Sequence, residues 1–131
     1  MSEHLPYAEV IGDPIAHSKS PDIHNFWLQK LGIEAEYRKT HVKAEELAAY
    51  FLQRGADPDW LGCNVTIPHK VAVMDYVTDP GKVGDIIGAM NTVACETGGP
   101  LIGTNTDAGG FLAPLQRAGF RGRSACIIGA G

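Results

Sequence analysis

The sequence predicts an α/β domain with three layers, in which helices pack on both faces of a mixed, mostly parallel sheet that includes one antiparallel hairpin region. Two observations support this class. Over the first 77 residues, strand-like apolar runs alternate with segments of helical periodicity, as in parallel strands joined by helices. After residue 90, two short strands are joined through Thr97-Gly98-Gly99-Pro100, which is a hairpin signal.

The first half of the chain is predicted to contain three strands, at residues 7–12, 36–42 and 60–65. Between the first two strands, a helix is expected to begin at Ser20-Pro21, because serine before proline is a strong start signal, and to end at Gly32. The helical spacing of its large apolar residues predicts an inward face made of Ile23, Phe26, Trp27 and Leu31. A second helix is expected at 44–54, before Gly55, with inward side chains at Leu47, Ala48, Phe51 and Leu52.

A third helix is predicted to begin at Pro68, since proline suits the first helical turn, and to end near Val77. Lys70 would then lie in the first turn, where the positive end of the helix dipole disfavours a cation. A partly desolvated lysine in that place gives up its proton more readily than usual, which suits proton transfer. The plainer interpretation is a surface lysine that extends from an amphipathic helix.

The second half is predicted to contain shorter elements: a helix at 82–89, strands at 90–96 and 101–105, and a helix that begins near Asp107. Pro114 is expected to kink or shorten this last helix, whose apolar face is Phe111, Leu112 and Leu115. The chain then enters an apolar, strand-like run that ends in Gly129-Ala130-Gly131. Dinucleotide-binding units begin in this way, but the rest of their fingerprint does not follow here.

The composition is that of one ordinary globular domain, with 131 residues, 44% hydrophobic and 20% charged. A net charge of −4 argues against nucleic acid or an acidic membrane surface as a partner, because both favour a basic face. We find neither a run long enough to span a bilayer nor a signal peptide at the N-terminus. The three cysteines and five histidines lack metal-ligand spacing, so we expect no metal site, and reduced thiols in a cytoplasmic protein.

Four clusters of polar residues are expected in loops that follow predicted strands, where open α/β sheets place their ligands. The first is Ser18 and Ser20, at a helix N-terminus whose free N–H groups favour an anion such as a carboxylate. Ser20 is also expected to serve as a plain N-cap, whereas Ser18 has no capping role that the sequence assigns. The other clusters are Asn64, Thr66 and Lys70, then Asn91, then Asp107.

Each of these residues also has an ordinary structural interpretation. Asn91 suits a turn, and an aspartate such as Asp107 is common near a helix start because it caps the helix and complements its dipole. Taken together, however, hydroxyls at an anion-binding helix end, a lysine, an amide and a carboxylate suit a small polyhydroxylated acid.

Four motifs, in order along nearly the whole chain, resemble those of the shikimate dehydrogenase family. They are Gly12-x-Pro14-x-x-His17-Ser18-x-Ser20-Pro21-x-x-His24-Asn25, Asn64-Val65-Thr66-x-Pro68-x-Lys70, Gly88-Ala89-x-Asn91-Thr92-Val93 and Asn105-Thr106-Asp107-x-x-Gly110. The family joins an N-terminal substrate domain to a C-terminal, NADP-binding Rossmann domain. The resemblance thus implies a shikimate-binding catalytic domain at 1–106, a linking helix at 107–122, and the first strand of a missing NADP-binding domain at 123–131. In that division, Gly129 and Gly131 begin an incomplete cofactor-binding fingerprint.

The resemblance also implies roles for individual residues. Ser18 and Ser20 match the pair that holds the shikimate carboxylate, and Thr66, Asn91 and Asp107 match residues that bond the ring hydroxyls. Lys70, which matches the family's catalytic lysine, would work with Asp107 at the reacting oxygen. His69 and Val71 depart from the family pattern, in which we would expect Phe and a polar residue, and the departure bears on pocket details such as substrate preference.

These residues lead us to expect the substrate-binding domain of an NADP-dependent enzyme that reduces 3-dehydroshikimate to shikimate, with the truncated chain inactive on its own. One alternative is a quinate/shikimate dehydrogenase with relaxed substrate or NAD use. Another is a non-catalytic domain that senses shikimate or quinate. We expect a cytoplasmic protein with a small-molecule substrate and no nucleic acid or membrane partner, and we allow for a homodimer.

Overall fold

Five strands form one mixed sheet in the computed structural model, which describes residues 4–96 and 99–129. The strand order is β2-β1-β3-β4-β5. β1 pairs in parallel with β2 and with β3, whereas β4 runs antiparallel to both β3 and β5. The predicted sheet, mostly parallel with one antiparallel hairpin region, is therefore confirmed. The strands are β1 Tyr7–Gly12, β2 Glu36–His41, β3 Trp60–Val65, β4 Thr92–Cys95 and β5 Leu101–Thr104.

Four α-helices accompany the sheet within the described residues: α1 Ser20–Leu31, α2 Leu47–Gly55, α3 Val83–Ile87 and α4 Asp107–Arg117. One short 3-10 turn, Ala44–Glu46, directly precedes α2, and another, Ala72–Tyr76, follows β3. α1 ends where predicted, because Gly32 adopts a left-handed conformation with φ of 64° that glycine tolerates best. The predicted hairpin joins β4 to β5, although Thr97 and Gly98 in its turn lie outside the described residues.

The burial predicted for α1 is wrong. Within this fully described helix no residue is buried, and Trp27 and Leu31 are 53% and 71% exposed. Leu28 makes the contact with the sheet instead, against a small cluster of Val10, Ile15 and Tyr37. The apolar residues of α1 cover more than one face, so their spacing does not identify the face that packs.

The inward face predicted for α2 is half right. Leu47 and Phe51 are buried as expected, but Leu52 is 79% exposed and Ala48 faces solvent. Tyr50 takes the inward position because its hydroxyl has a buried partner, the carboxylate of Glu9. The main core lies between this helix and the sheet.

No α-helix begins at Pro68. Residues 66–71 form turns, and the 3-10 turn Ala72–Tyr76 follows them. The carbonyl of Lys70, which would accept a bond from Met74 in an α-helix, accepts the N–H of Met90 at 2.7 Å instead. This tertiary bond replaces the helical one, so the helix-dipole argument for Lys70 does not apply.

Near the C-terminus, α4 runs through Pro114 to Arg117, so the proline does not cut it short. Its predicted apolar face is exposed, with Phe111 at 77%. The strand predicted at 123–131 is not formed over residues 123–129, because none of the described strands pairs with them. Ala130 and Gly131 lie outside the described residues.

A buried carboxylate on the α2 face of the sheet was not anticipated from the sequence. Glu9 is 0% exposed, and it accepts hydrogen bonds from Tyr50 at 2.5 Å, from Arg54 at 2.6 Å, and from the Thr40 hydroxyl. The hydrogen bond to Glu9 raises the pKa of Arg54 further above its usual range. In the same core, burial raises the pKa of the Cys63 thiol to about 12.

Candidate active site

The four polar clusters singled out in the sequence meet at one edge of the sheet. β1 and β3 are parallel neighbours, so the loops that carry Ser18 and Lys70 leave from the same edge. β4 begins at that edge, with Thr92 opposite Asn64, and β5 ends there, with Thr104 opposite Thr92. Asn91 and Asp107, which flank these strands in the sequence, are thereby brought to the loops of β1 and β3.

A lysine, a carboxylate and an amide form the centre of this edge. The Nζ of Lys70 lies 2.5 Å from Oδ2 of Asp107, and Nδ2 of Asn91 donates to the other oxygen, Oδ1, at 2.9 Å. Lys70 and Asp107 are partly open to solvent, with side chains 34% and 56% exposed, whereas Asn91 is 8% exposed. The ammonium group is therefore oriented by a carboxylate that a buried amide in turn holds.

Asp107 is not the cap of α4. The amide oxygen of Asn105 accepts the N–H groups of Asp107 and Ala108 at 2.9 and 3.2 Å, so Asn105 performs that function. The Asp107 carboxylate is consequently directed to Lys70 and Asn91. Asn91 is likewise more than a turn residue, because its Oδ1 also accepts the backbone N–H of Thr106 at 2.9 Å.

The serine pair lies at the start of α1, next to the loop after β3. Lys19 occupies the N-cap position and Ser20 is already the first helical residue, so the expected capping role of Ser20 is wrong. Ser18 performs a local task instead, because its Oγ accepts the N–H of Ser20 at 3.3 Å. Within residues 4–96 and 99–129, neither serine hydroxyl bonds directly to Thr66, Lys70, Asn91 or Asp107.

Thr66 lies between the two regions. Its N–H donates to the carbonyl of Ile11 at 3.0 Å, and the N–H of Asp13 donates to the carbonyl of Ile67 at 3.0 Å. These bonds join the loop that leads to the serines with the loop that leads to Lys70. The side chain of Thr66 remains partly exposed at the same edge.

His69, the departure noted in the sequence, is a core residue. It is 1% exposed, and its Nε2 lies 2.6 Å from the carbonyl oxygen of Val42, so the ring nitrogen donates that bond. The imidazole thus fixes the turn that carries Lys70. Val71, the second departure, is 62% exposed.

Tyr37 was missed by the sequence analysis. Its hydroxyl donates to Oδ1 of Asn64 at 2.7 Å, and Nδ2 of Asn64 reaches Thr92 Oγ1 at 3.2 Å and the Asn91 carbonyl at 3.4 Å. A signal was present, since Tyr37 is the one large aromatic side chain among charged and polar residues in Glu36–His41, but nothing local pairs it with a residue 27 positions away.

The site presents side chains that suit a polar ligand. Lys70 presents a cation, Asp107 an acceptor and Thr66 a hydroxyl, all partly exposed, and the start of α1 presents two more hydroxyls.

In the part of the chain that the structure describes, no three His, Cys, Asp or Glu side chains are grouped as metal ligands. None of the helices in residues 4–96 and 99–129 is long and apolar enough to cross a membrane.

Fold and site together define a class, an α/β domain with a solvent-accessible polar ligand site at the carboxyl edge of its parallel strands. The model of the shikimate dehydrogenase substrate binding domain matches residues 10–93, which is more than half of the chain. The chain therefore belongs to the shikimate dehydrogenase substrate-binding domain family.

Known relatives agree with this assignment. A shikimate dehydrogenase (NADP(+)) from Sphingopyxis alaskensis is 60% identical over 126 residues, which are 96% of this chain and 46% of the relative. Shikimate 5-dehydrogenase from Thermus thermophilus, solved in complex with shikimate, superimposes with a TM-score of 0.78 at 35% identity, covering 88% of this chain and 44% of that one. A 5-ketofructose reductase from Gluconobacter also superimposes with a TM-score of 0.78, at 36% identity over 86% of this chain and 40% of that one. The chain spans about half the length of the curated relatives it matches.

Proposed function

We propose that the chain is the substrate-binding part of an NADP-dependent shikimate dehydrogenase, which interconverts 3-dehydroshikimate and shikimate. The observation that carries the proposal is the hydrogen-bonded group of Lys70, Asp107 and Asn91 at the sheet edge. Reduction of a ring ketone needs a proton donor at the carbonyl oxygen, and a partly exposed ammonium group held by a carboxylate is suited to that task.

In this proposal three groups of residues act on three parts of the substrate: its carboxylate, its ring hydroxyls and its ketone. Ser18 and Ser20 bind the carboxylate at the start of α1, where the free N–H groups favour an anion. Thr66, Asn91 and Asp107 bond the ring hydroxyls. Lys70 gives its proton to the oxygen of the ketone as this becomes a hydroxyl, and Asp107 keeps the ammonium group directed at that oxygen. The hydride that the ketone carbon must also receive would come from the reduced nicotinamide cofactor of the whole protein.

The name of the Sphingopyxis relative supports NADP as the cofactor of the whole protein. Gly129, the one fingerprint glycine within the described residues, has a φ of 105° that favours glycine. Residues 123–129 form neither strand nor helix, so they do not provide the strand-to-helix turn that holds the phosphates of a dinucleotide. The binding and proton-transfer steps above accordingly use side chains of the described residues alone. We further propose a cytoplasmic location, in keeping with three cysteines that are all free thiols.

A second candidate is a reductase for another small polyhydroxylated ketone. The 5-ketofructose reductase from Gluconobacter supports it, because its fold matches as well as that of the Thermus shikimate dehydrogenase. The serine pair favours the first candidate, since a carboxylate is present in shikimate and absent from a ketosugar.

Titration of the isotope-labelled 131-residue chain with shikimate, followed by NMR, tests the proposal. We expect signals of Ser18, Ser20, Lys70, Asn91 and Asp107 to move together with one binding constant. The Asp107→Asn variant should bind at least about tenfold more weakly, because it loses the charge that holds Lys70 and an acceptor for the ligand.

Asp85→Asn is the matched control, since Asp85 lies on the exposed side of α3 and should leave binding unchanged. Quinate and 5-ketofructose are titrated in parallel. A folded chain whose spectrum is unchanged at millimolar shikimate would refute the proposal, and tighter binding of 5-ketofructose than of shikimate would favour the second candidate.

A further inference from the structure

A continuous line of side-chain hydrogen bonds runs from Tyr37 to Asp107. Tyr37 donates to Oδ1 of Asn64, Nδ2 of Asn64 donates to Thr92 Oγ1, and the Thr92 hydroxyl donates to Oδ1 of Asn91 at 3.0 Å. Nδ2 of Asn91 then donates to the Asp107 carboxylate, which holds Lys70. The line thus joins β2, β3 and β4 to the start of α4.

The direction of these bonds is fixed by backbone groups at two places. Nδ2 of Asn64 faces the carbonyl of Asn91, which can only accept, so the opposite atom of that amide must be the oxygen that Tyr37 reaches. Oδ1 of Asn91 faces the N–H of Thr106, which can only donate, so the other end of this amide must be the NH₂ that faces Asp107. Every link therefore donates toward the carboxylate.

The tyrosine at the start of this line is itself firmly held. Asn25 bonds both the N–H and the C=O of Tyr37, at 2.9 and 2.8 Å, and so ties α1 to β2. The His24 ring stacks on the tyrosine ring at 4.0 Å, and its Nδ1 lies 2.9 Å from the carbonyl of Ser20. Burial raises the pKa of Tyr37 above its usual range, so the hydroxyl stays protonated and remains a donor.

We propose that Tyr37 is a positioning residue for the ligand site, which acts through Asn64, Thr92 and Asn91 to orient the Asp107 carboxylate. The proposal gives a role to His24 and Asn25, two motif residues without a place in the chemistry above. They fix Tyr37, and through the contact of His24 with Ser20 they set its position relative to the serine pair. As far as the ligand is concerned, this inference rests on the proposed function.

The first test uses the unliganded chain and so does not depend on shikimate. Tyr37→Phe keeps the ring and its stacking but removes the first donor of the line. We expect the side-chain NH₂ signals of Asn64 and Asn91 to shift in the NMR spectrum and to exchange faster with water. Unmoved Asn91 signals in the folded variant would overturn the proposal.

Tyr7→Phe is the matched control. Tyr7 and Tyr37 are 5% and 6% exposed, and each donates one hydrogen bond at 2.7 Å, but Tyr7 donates to Asp57, away from the site. Removal of the Tyr7 hydroxyl should leave the Asn91 signals in place. Thr92→Val breaks the same line at a later link and should also shift the Asn91 signals. This variant provides the test if Tyr37→Phe fails to fold.

The second test compares two ligands. Tyr37→Phe should weaken shikimate binding by about threefold to tenfold, the effect of one lost hydrogen bond, and leave the binding of 1-cyclohexene-1-carboxylate unchanged. That ligand has the carboxylate but no ring hydroxyls, and general damage to the fold would weaken both. Equal losses for the two ligands would contradict the proposed role of Tyr37. If the wild-type protein does not bind shikimate, the proposed function is refuted, and the NMR test on the unliganded chain then decides the role of Tyr37.

Discussion

Glu9 and Arg54 show how strongly single residues can depend on each other in this domain. The Glu9 carboxylate is fully buried, and Arg54, with a side chain 27% exposed, is its charged partner. Arg54→Ala would leave that charge buried without compensation, and we expect the free energy of unfolding to fall by about 3–5 kcal/mol. Denaturation in urea at neutral pH measures the change.

Arg38→Ala provides the comparison for this prediction. Arg38 pairs with Glu36 at 2.8 Å, but both side chains are more than 40% exposed, and its other contact is a stack on the Tyr7 ring. Its loss should cost about 1 kcal/mol. Similar costs for the two variants would mean that the hydrogen bonds from Tyr50 and Thr40 compensate the Glu9 carboxylate without Arg54.

The residues of the candidate site could be named from the sequence because their motifs are short and local, and their roles toward a ligand stay predictions. Residues Ser18, Ser20, Thr66, Lys70, Asn91 and Asp107 were all named from the sequence, and the topology brings their loops to one edge. Tyr37 and Glu9 were not named, because what distinguishes them is a partner far away in the chain. For Glu9, the available sign was an acidic residue between Tyr7 and Ile11 in a predicted strand. That sign does not reveal that Arg54 is its partner.

At the scale of elements, the junction of β3 with β4 depends on a glycine. Gly62 has a φ of 147°, and a Cβ at this position would lie 2.2 Å from the carbonyl oxygen of Val93 on the neighbouring strand. We expect Gly62→Ala to lower the free energy of unfolding by about 2 kcal/mol or more, because the strands must separate and the residue is strained. Thermal unfolding followed by circular dichroism would measure it.

Gly55→Ala is the contrasting substitution. Gly55 is the last residue of α2, has an ordinary φ, and has open space where a Cβ would be placed. We expect it to stabilise the chain by up to about 1 kcal/mol, since alanine loses less backbone entropy on folding than glycine. If both alanine variants were destabilised equally, the crowding at Gly62 would not be the cause.

Strand positions in the first half of the chain were predictable from the sequence, whereas the packed face of α1 was not and that of α2 was only half predicted. The three strands of the first half were placed to within a residue. β1 and β3 are buried, mostly apolar runs with clear ends, whereas β2 is a more polar edge strand that follows the glycine stop of α1. In α1, however, five large apolar residues are spread around the helix, and only Leu28 among them packs against the cluster of Val10, Ile15 and Tyr37. The helix expected at Pro68 failed for a different reason, since the bond from Met90 to the Lys70 carbonyl joins residues 20 positions apart.

At the scale of the whole molecule, much apolar surface is open to solvent. Ile127 and Ile128 are 88% and 97% exposed, and Trp27 and Phe111 are more than half exposed. We expect the chain to associate at high concentration through its C-terminal segment, because an apolar run without a partner strand tends to pair with another copy. Light scattering should show a mass that rises with concentration, and rises less for a chain that ends at Gly122.

A chain of full length with Ile127→Ser and Ile128→Ser separates apolar character from mere length. It should behave like the shortened chain. Association that persists undiminished in both variants would point to the exposed face of α1, and identical monomeric masses at all concentrations would refute the idea.

The two faces of the sheet carry separate polar networks, and this separation has a consequence for sequence change. The Glu9 network lies toward α2, whereas the line from Tyr37 lies toward α1, and the two have no side chain in common. A substitution at Arg54 should therefore add to one at Thr92 with little interaction between them, because the two side chains share no partner. Mutations in the Glu9 network can therefore change the free energy of unfolding while the hydrogen bonds that orient the Asp107 carboxylate stay in place.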